Sequence, residues 1–580
     1  MMKTFSFLAA GLLALGLARP HAATAQNAPS WALALSSPDA TRITRVATDA
    51  NNYTVVAGYL TGPAALGPQA LAVGGPGLTN GFAARLDPQG AVQWVRYLAA
   101  TGSGLETLVS GLALDAAGNA VVCGAYRNGS LPLGAFTLPV HATNAALSNG
   151  LAAKLDPAGN VLWAQSLTDP GASSATAAAV DAAGTAYVAV STNAAPLVGG
   201  LGIRTFSAAG VPGPGHDFPG VTGVPATSPF GVFAAIVDLV VNPATGQLGA
   251  VGTFHGTLTL RAAGTGPALS YTSPTEPQNG AFVAGLAPAG AAQWAQPLAS
   301  TGMTQNGTTG RFFNKLSAVA PVGAGFAVAG GYLGAGTLAG AALPGSAASD
   351  NITAVLARFD GQGQLQWTQA VSGDGTAESG AVATALAADA AGQLHVAGFF
   401  IGHLAADGGG QTSAGGADVL LLRFTDQGRL LGTQRDGSFG NEYPTALALD
   451  PSGQPRVAGY FRGTSSFGGT VLASGPRENG FVARLGRTPL GTRAASAPQA
   501  ALQVFPNPSA GLETLQVHLL PSAAPTTLRL LNALGQQVHS QAVPARAAGA
   551  ALPVAGLAPG RYVLQAVSAE GVATRGVLVN

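Results

Sequence analysis

The sequence predicts an all-β protein, a seven-bladed β-propeller of four-stranded blades followed by a small β-sandwich. Apolar segments recur with a period of roughly 65–70 residues, a repeat length that indicates a propeller rather than a parallel α/β fold. No convincing helical period occurs outside the N-terminus. The 580 residues include 83 Gly and 38 Pro but are 47% hydrophobic, which favours many short strands joined by tight turns over disorder.

The N-terminus has the pattern of an export signal. Lys3 supplies a positive charge, residues 5–17 are apolar, and Ala23-Thr24-Ala25 forms a small-x-small site before Gln26. We therefore predict a signal peptide over 1–25, cleaved between Ala25 and Gln26. Its apolar stretch is too short to span a bilayer as a helix, and no later apolar run is long enough, so no transmembrane segment is expected in the mature chain.

A hairpin turn precedes four of the five tryptophans, as in Asp87-Pro88-Gln89-Gly90 before Trp94. Asp and Pro open such a turn, and Gly takes the positive-φ position that a short hairpin needs. Successive tryptophans are separated by 63, 69, 131 and 73 residues, so one period lacks its tryptophan. They are Trp31, Trp94, Trp163, Trp294 and Trp367.

A second hairpin recurs seven times, with copies starting at Val46, Leu112, Ala178, Leu239, Leu316, Leu386 and Leu447. Its second strand carries a glycine at one fixed place in six copies, with Val190 as the exception: Gly58, Gly124, Gly252, Gly330, Gly398 and Gly459. Because an interior glycine weakens a strand, its repetition predicts a crowded position near the axis where another backbone comes close.

A third recurring strand has period-two alternation and carries a basic residue at one position: Arg85, Lys154, Arg204, Arg358, Arg423 and Arg484, with Gly285 in the remaining copy. We interpret this charge as structural, solvated or paired within each blade. The alternative is a ring of cations on one face that meets an acidic polymer. The excess length of each repeat falls in Gly/Ala/Pro-rich segments that the sequence predicts as loops.

Ring closure is predicted from the two unmatched ends of the repeat array. Residues 31–35 form a strand with no partner in their own repeat, and the seventh repeat lacks a strand after residues 481–485. Pairing the two would complete the last blade and leave no raw sheet edge.

These segments resemble the SBBP-type β-propeller repeats of bacterial surface proteins over residues 31–486. The shared pattern is an Asp-x-x-Gly-Asn turn, a Val-x-Gly-aromatic strand and a Phe-Val-Ala-Lys/Arg-Leu-Asp-x-x-Gly block before Trp. That family implies a propeller and an extracellular setting but no common reaction.

The C-terminal 80 residues alternate as a small β-sandwich would. They also resemble the type A sorting domain of the bacterial type IX secretion system. The motif residues are Phe505, Pro506, Asn507 and Pro508, then Gly535 in an Asn-x-x-Gly hairpin, and Gly560 and Tyr562 in Leu-x-x-Gly-x-Tyr. The resemblance implies recognition by the type IX machinery, transfer to the cell exterior or outer-membrane surface, and removal of the tail on arrival. The domains expected are a signal peptide (1–25), a propeller (26–486), a linker (487–500) and a sorting domain (501–580).

Residue chemistry argues against several other functions. The net charge is +1 with no basic run, which disfavours nucleic acid and anionic membrane as partners. The eight histidines are scattered and no calcium loop or Gly-x-Ser-x-Gly elbow occurs, so no catalytic, metal or cofactor residue is predicted. The single cysteine, Cys123, is expected to be a buried, inert thiol.

We expect a non-enzymatic binding or adhesion protein whose ligand is an extracellular glycan or protein. Two alternatives stay open, a propeller-fold polysaccharide lyase or hydrolase and a purely structural surface protein. The enzyme would require clustered acids, or a His/Tyr/Arg set, at the central opening.

Overall fold

The computed structural model describes residues 30–71, 78–98, 105–140, 148–167, 173–194, 197–218, 220–222, 233–260, 270–272, 280–300, 314–345, 351–374, 379–404, 411–486, 502–509, 514–519, 525–532, 536–568 and 571–579. By internal contacts the chain divides into two compact units, Met1–Arg487 and Thr488–Asn580.

Within the described part of the first unit, seven antiparallel sheets follow one another along the chain, and we number them blades 1 to 7. Five have four strands, and the sheets of blades 4 and 7 have the same four plus a two-stranded hairpin. Their first strands are Thr41–Thr48, Glu106–Leu114, Ser173–Val180, Phe233–Val241, Asn314–Val322, Gly380–Ala388 and Asn441–Leu449. Their second strands are Thr54–Leu60, Ala120–Arg127, Ala186–Ala194, Leu248–His255, Gly325–Leu333, Leu394–Ile401 and Pro455–Arg462.

The third strands are Asn80–Leu86, Asn149–Leu155, Leu197–Phe206, Gly280–Leu286, Ile352–Phe359, Asp418–Phe424 and Asn479–Arg484. The fourth strands are Val92–Tyr97, Val161–Leu167, His216–Phe218, Ala292–Ser300, Leu365–Val371, Leu430–Asp436 and, for blade 7, Trp31–Ser36. The first strand of each blade contacts the first strand of the next, and the first strand of blade 7 contacts that of blade 1. This closed cycle of sheets confirms the predicted β-propeller.

The N-terminal strand closes the ring as predicted. Trp31–Ser36 runs antiparallel to Asn479–Arg484, with Trp31 opposite Arg484 and Leu35 opposite Gly480. The core lies between adjacent blades. At this closure, Leu35 and Val482 of blade 7 pack in one buried cluster with Val56 and Phe82 of blade 1.

The repeated glycines face a β-bulge in the first strand of the same blade. At Gly58 the pairing register skips Thr44, and at Gly124 it skips Ser110. A Cβ on Gly58 would overlap the carbonyl oxygen of Arg42, and the other five glycines meet an equivalent carbonyl. The predicted crowding is thus confirmed, and its cause is the bulged first strand, which pushes a carbonyl towards the second strand.

The segments predicted as loops between second and third strands form short hairpins in the described part of six blades. They comprise Ala64–Leu66 with Gln69–Leu71, Leu131–Leu133 with Phe136–Leu138, Thr257–Thr259 with Ser270–Thr272, Gly336–Leu338 with Ala341–Leu343, His403–Leu404 with Gln411–Thr412, and Thr464–Phe467 with Thr470–Ala473. Two of them extend the fourth strand of the preceding blade, and the hairpin of blade 4 pairs with Gly220–Thr222. The loop prediction was wrong here because segments this short carry little alternation of their own.

The second unit consists of two antiparallel sheets. One contains Leu502–Phe505, Thr514–Leu519 and Gly549–Pro553, and the other contains Thr526–Leu531, Gln537–Val543, Gly560–Ser568 and Gly571–Val579. Leu515 and Val517 of the first sheet share a buried core with Leu528, Leu530 and Leu564 of the second. This is the small β-sandwich expected from the alternation.

Candidate functional sites

The Phe-Pro-Asn-Pro motif is held against the last strand of the second unit. Asn507 bridges to that strand twice, because its Nδ2 donates to the carbonyl of Gly576 (2.7 Å) and its Oδ1 accepts from the amide of Leu578 (2.9 Å). Phe505 is 49% exposed, its ring edge-on to His518, and Pro506 and Pro508 are also exposed. The motif therefore fixes the entry of the chain into the sandwich and keeps an aromatic and two prolines at the surface.

The second tail motif closes a turn. The hydroxyl of buried Tyr562 donates to the carbonyl of Ala558 (2.7 Å), four residues earlier, and Gly560 begins the strand Gly560–Ser568 in extended backbone. Gly535, and the predicted cleavage residues Ala25 and Gln26, lie outside the described residues.

The recurring basic residues pair with nearby carboxylates, which supports the structural interpretation of these charges. Arg85 bonds Asp49 at 2.5 Å and Lys154 lies 2.8 Å from Asp115, with all four side chains buried. Each aspartate belongs to the first turn of the same blade, where it also caps backbone amides. Arg204, Arg358 and Arg484 each lie within 4 Å of a carboxylate as well.

In blade 7, two arginines form ion pairs with the same aspartate. Arg456 lies 3.0 Å and Arg484 3.3 Å from Oδ2 of Asp450, and both Asp450 and Arg456 are fully buried. Burial alone would raise the pKa of Asp450, but the hydrogen bonds from Ser452 and Gln454 and the two guanidinium groups outweigh it and lower that pKa. Removing one partner from such buried charge pairs strongly destabilises the fold, because the remaining charge is left buried without compensation.

The propeller axis holds a cavity of about 330 Å³ walled by the first strands of all seven blades. Among the described residues that line it, Arg45 and Asp238 are the charged ones. Arg45 donates to the carbonyl of Val237 (3.0 Å), and Asp238 accepts from the amide of Val319 (2.9 Å). Burial raises the pKa of Asp238. The described lining therefore contains one carboxylate, Asp238, and lacks the carboxylate pair that a glycosidase would need.

A carboxylate pair does occur between blades 6 and 7, and sequence reasoning missed it. The Asp418 and Glu442 side chains contact each other, and both residues are fully buried. Glu442 also accepts a hydrogen bond from Ser465, and Arg435 lies 3.6 Å from Asp418. Burial and the neighbouring carboxylate raise the pKa of Glu442 to about 8. A substrate cannot reach these groups because no surface of either residue is open to solvent.

The repeats contained a signal for this pair. Glu442 stands at the position that Thr41 and Thr107 occupy in blades 1 and 2, and Asp418 stands where Asn80 and Asn149 occur. Aligning the repeats strand by strand would have marked two acids in place of neutral residues.

Cys123 is fully buried, and burial raises the pKa of its thiol to about 12, so it is not a thiolate at neutral pH. Within the described ranges there is no group of three or more His, Cys, Asp or Glu side chains able to hold a metal ion. Nor does the described part of the chain contain a helix long and apolar enough to cross a membrane.

Comparison with known proteins bears on the tail. Residues 503–580 match the family model of the secretion system C-terminal sorting domain. No curated protein matches the chain. The resemblance of residues 31–486 to SBBP repeats stays a prediction.

Solved structures similar to the chain are distant. A quinohemoprotein alcohol dehydrogenase from Pseudomonas putida is 12% identical, covering 80% of this chain and 78% of its own, with a TM-score of 0.36. PorZ, a surface component of the type IX secretion system of Porphyromonas gingivalis, is 8% identical, covering 95% and 100%, with a TM-score of 0.17. Drosophila Semaphorin 2a is 8% identical, covering 96% and 98%, with a TM-score of 0.37. Scores this low carry no argument about function.

The fold is identified from the order of the strands in the sheets, and the export route is identified from the family match of residues 503–580. The protein is an all-β propeller protein that ends in a secretion system C-terminal sorting domain, a tail that marks it for the extracellular space or the outer-membrane surface.

Proposed function

We propose that the mature protein is an extracellular binding protein, exported by the type IX route, whose propeller binds glycans or proteins outside the cell. The observation that carries the proposal is the sorting domain behind a propeller whose repeated basic residues pair with carboxylates. A tail of this kind exports a passenger, and the propeller is the passenger in this chain.

The internal pairing bears on the ligand. Arg85 and Lys154 are buried on aspartates of their own blades, so they are not available as a ring of cations for an acidic polymer. With charged residues at only 9% of the chain, the surface available to a ligand is mostly neutral. Neutral glycans or uncharged protein surfaces fit such a passenger best.

We further propose that the protein is not an enzyme. Asp418 and Glu442 form the close carboxylate pair among the described residues, and both are sealed from solvent. The axial cavity contributes one carboxylate, Asp238. A lyase or hydrolase would need acids that a polymer can reach.

The proposed processing keeps the boundaries expected from the sequence: signal peptide removal after Ala25, a propeller over 26–486, a linker over 487–500 and a removable tail over 501–580. Mass spectrometry of the exported protein tests this, with a mature N-terminus at Gln26 expected. An N-terminus elsewhere, or a tail retained on the exported form, would contradict the corresponding boundary.

Binding is tested by presenting the purified chain from Gln26 onward to a panel of polysaccharides and matrix proteins. We expect saturable binding to at least one member, unchanged when the sorting domain is absent. Failure to bind any member would favour a structural surface role, and degradation of a panel member would establish an enzyme.

A further inference from the structure

A surface cleft of about 560 Å³ lies across blades 4, 5 and 6 on the face that carries the hairpin turns. It exists because the first turn of blade 5 is short. Two residues, 323–324, separate the paired Val322 and Gly325, whereas five, 115–119, separate Leu114 and Ala120 in blade 2. The missing residues leave space beside Ala324 that the longer turn fills elsewhere.

The same short turn changes the state of the basic residue behind it. In blade 1, Arg85 is sealed by Asp49 of the first turn. Blade 5 has no aspartate in its first turn, and Arg358 instead donates to the carbonyl of Asp426 in blade 6 (2.9 Å), with the Asp426 carboxylate 3.8 Å away. The guanidinium therefore borders the cleft.

Side-chain amides dominate the polar lining. Five glutamines contribute to it, from three different blades: Gln247, Gln293, Gln362, Gln366 and Gln427. An amide both donates and accepts hydrogen bonds, as a sugar hydroxyl does. Arg358 and Asp360 are the charged residues of the described lining, one of each sign, so the cleft is close to neutral.

Two buried polar atoms at the cleft have no hydrogen-bond partner, Oε1 of Gln247 and Nε of Arg358. Gln247 is 9% exposed, and its Nε2 is already engaged by Gln293 (2.6 Å) and by the carbonyl of Gly361 (3.2 Å). Neither atom is open to solvent, so an incoming ligand would meet the exposed glutamine amides of the lining, such as those of Gln362 and Gln366.

We propose that this amide-lined cleft, defined by the five glutamines with Arg358, Asp360 and Ala324, binds a neutral oligosaccharide. The volume falls in the roughly 300–1,000 Å³ range of small-molecule sites. Hydroxyl groups match the mixed donors and acceptors of the lining. An anionic glycan would be repelled by Asp360, and a cationic glycan would be repelled by Arg358. The inference rests on the proposed extracellular binding function and names the site and ligand class.

The test is calorimetric titration of the chain from Gln26 onward with neutral oligosaccharides of glucose, mannose and galactose, and with oligogalacturonate as an acidic comparator. Ala324→Trp fills the space left by the short turn, and we expect it to weaken binding roughly tenfold or more. Ala117→Trp places the same side chain in the full-length first turn of blade 2 and is expected to change nothing. The double variant Gln362→Ala with Gln366→Ala, both on the surface, removes amides without filling the cleft and is expected to weaken binding several-fold. If Ala324→Trp fails to fold, this double variant tests the cleft proposal instead.

Neutral binding that survives Ala324→Trp and the double glutamine variant would overturn the cleft proposal but leave the binding function standing. The opposite face, where Phe439 is 90% exposed beside a cavity of about 510 Å³, would then be the next surface to mutate. Preferential binding of oligogalacturonate would overturn the neutral ligand class. No binding of any oligosaccharide would overturn the cleft proposal, whereas binding of a matrix protein in the same preparation would retain the extracellular binding function.

Discussion

The side-chain contacts that join blades 1 and 2 differ from those that join blades 6 and 7. At the first, Trp94 of blade 1 lies on the hairpin turn of blade 2, and its Nε1 donates to the carbonyl of Pro157 (2.9 Å). A Cβ on Gly159 would come within 2.8 Å of the indole, so only glycine allows this contact. The hydroxyl of Thr107 then accepts from the amide of Gly81, tying the two blades together again (2.8 Å).

The same tryptophan contact recurs around the ring. Trp31, Trp163, Trp294 and Trp367 each donate to a carbonyl in the turn of the following blade: Pro88, Ala208, Gly361 and Asp426. Where blade 3 lacks a tryptophan, His216 takes the place against Gly290.

Blades 6 and 7 have no such contact in the described structure. The position opposite Arg423, which corresponds to Trp94, is Gly432, and nothing approaches it. Blade 7 has no hairpin turn to receive a tryptophan, because its third strand leads out of the propeller and its fourth strand comes from the N-terminus. The buried pair of Asp418 and Glu442 lies at this interface instead. At blades 6 and 7 the departure from the repeat adjoins the blade that is completed from both chain ends, whereas in blade 3 it lies far from them, where His216 replaces the tryptophan.

The largest expected effect comes from removing a tryptophan contact. Trp163 is 3% exposed and packs against Phe206 at 5.5 Å between ring centres. Trp163→Ala should lower the free energy of unfolding by about 3–5 kcal/mol, because it leaves a large cavity between blades 2 and 3. Denaturant titration measures it. Gly432→Ala, at the position without a contact, should change stability by less than about 1 kcal/mol. Equal losses in the two variants would contradict the comparison.

A second large effect is expected inside blade 7. Asp450→Asn leaves Arg456 and Arg484 buried with no carboxylate, and we expect a loss of about 3 kcal/mol or more in the free energy of unfolding. The lowered pKa of Asp450 also predicts that this contribution is present above the ordinary aspartate pKa and is lost as pH falls through the native value. Urea titrations of the parent protein and the variant at several acidic pH values measure both effects, and a difference independent of pH would contradict the assignment.

The carboxylate pair predicts a dependence on pH of the opposite sign. Burial keeps Glu442 protonated in the folded state to about pH 8, against an ordinary value of 4.5, so its stabilising contribution is complete below about pH 4.5 and is lost as pH rises through 8. Asp436, whose pKa burial raises to about 6, acts in the same direction, while Arg435 opposes the rise in the pKa of Asp436 and of Asp418.

The double variant Asp418→Asn with Glu442→Thr installs the residue types that blades 1 and 2 carry at these positions. We expect its stability to fall less between pH 5 and 8 than that of the parent protein, since no carboxyl group at these two positions has to be held protonated in the folded state. Thermal unfolding across that range measures the difference. Parallel profiles for the two proteins would show that the pair is not the titrating element.

The smallest effect is expected at the exposed ion pair of blade 3. Arg204 lies 2.7 Å from Asp217, whose side chain is 71% exposed. Asp217→Asn should change the free energy of unfolding by less than about 1 kcal/mol, because solvent screens this pair. A loss as large as that of Asp450→Asn would mean that burial does not separate the two pairs.

Strand positions and the tryptophan period could be predicted because each repeats along the chain, so several weak signals reinforce one another. Ring closure could be predicted because one strand at each end of the repeat array lacked a partner. The sorting motif was predictable because Phe505 to Pro508 and Tyr562 are fixed by local turns and one neighbouring strand. The short hairpins between second and third strands were not, since three-residue strands such as Ala64–Leu66 carry too little alternation to indicate pairing.

The amino-acid pattern specifies the propeller repeat, the pairing of Trp31 to Leu35 with the last blade, and the tail that exports the protein. Strand period, turn chemistry and glycine spacing are short-range properties, and the closing pair followed because only these two end strands lacked a partner in the repeat. The side chains that meet across blades could be identified only from the folded chain: the carboxyl pair of Asp418 and Glu442, and the amide cleft beside Ala324. Those contacts join residues from different repeats, and their chemistry depends on burial and distance, which no single segment of the chain encodes.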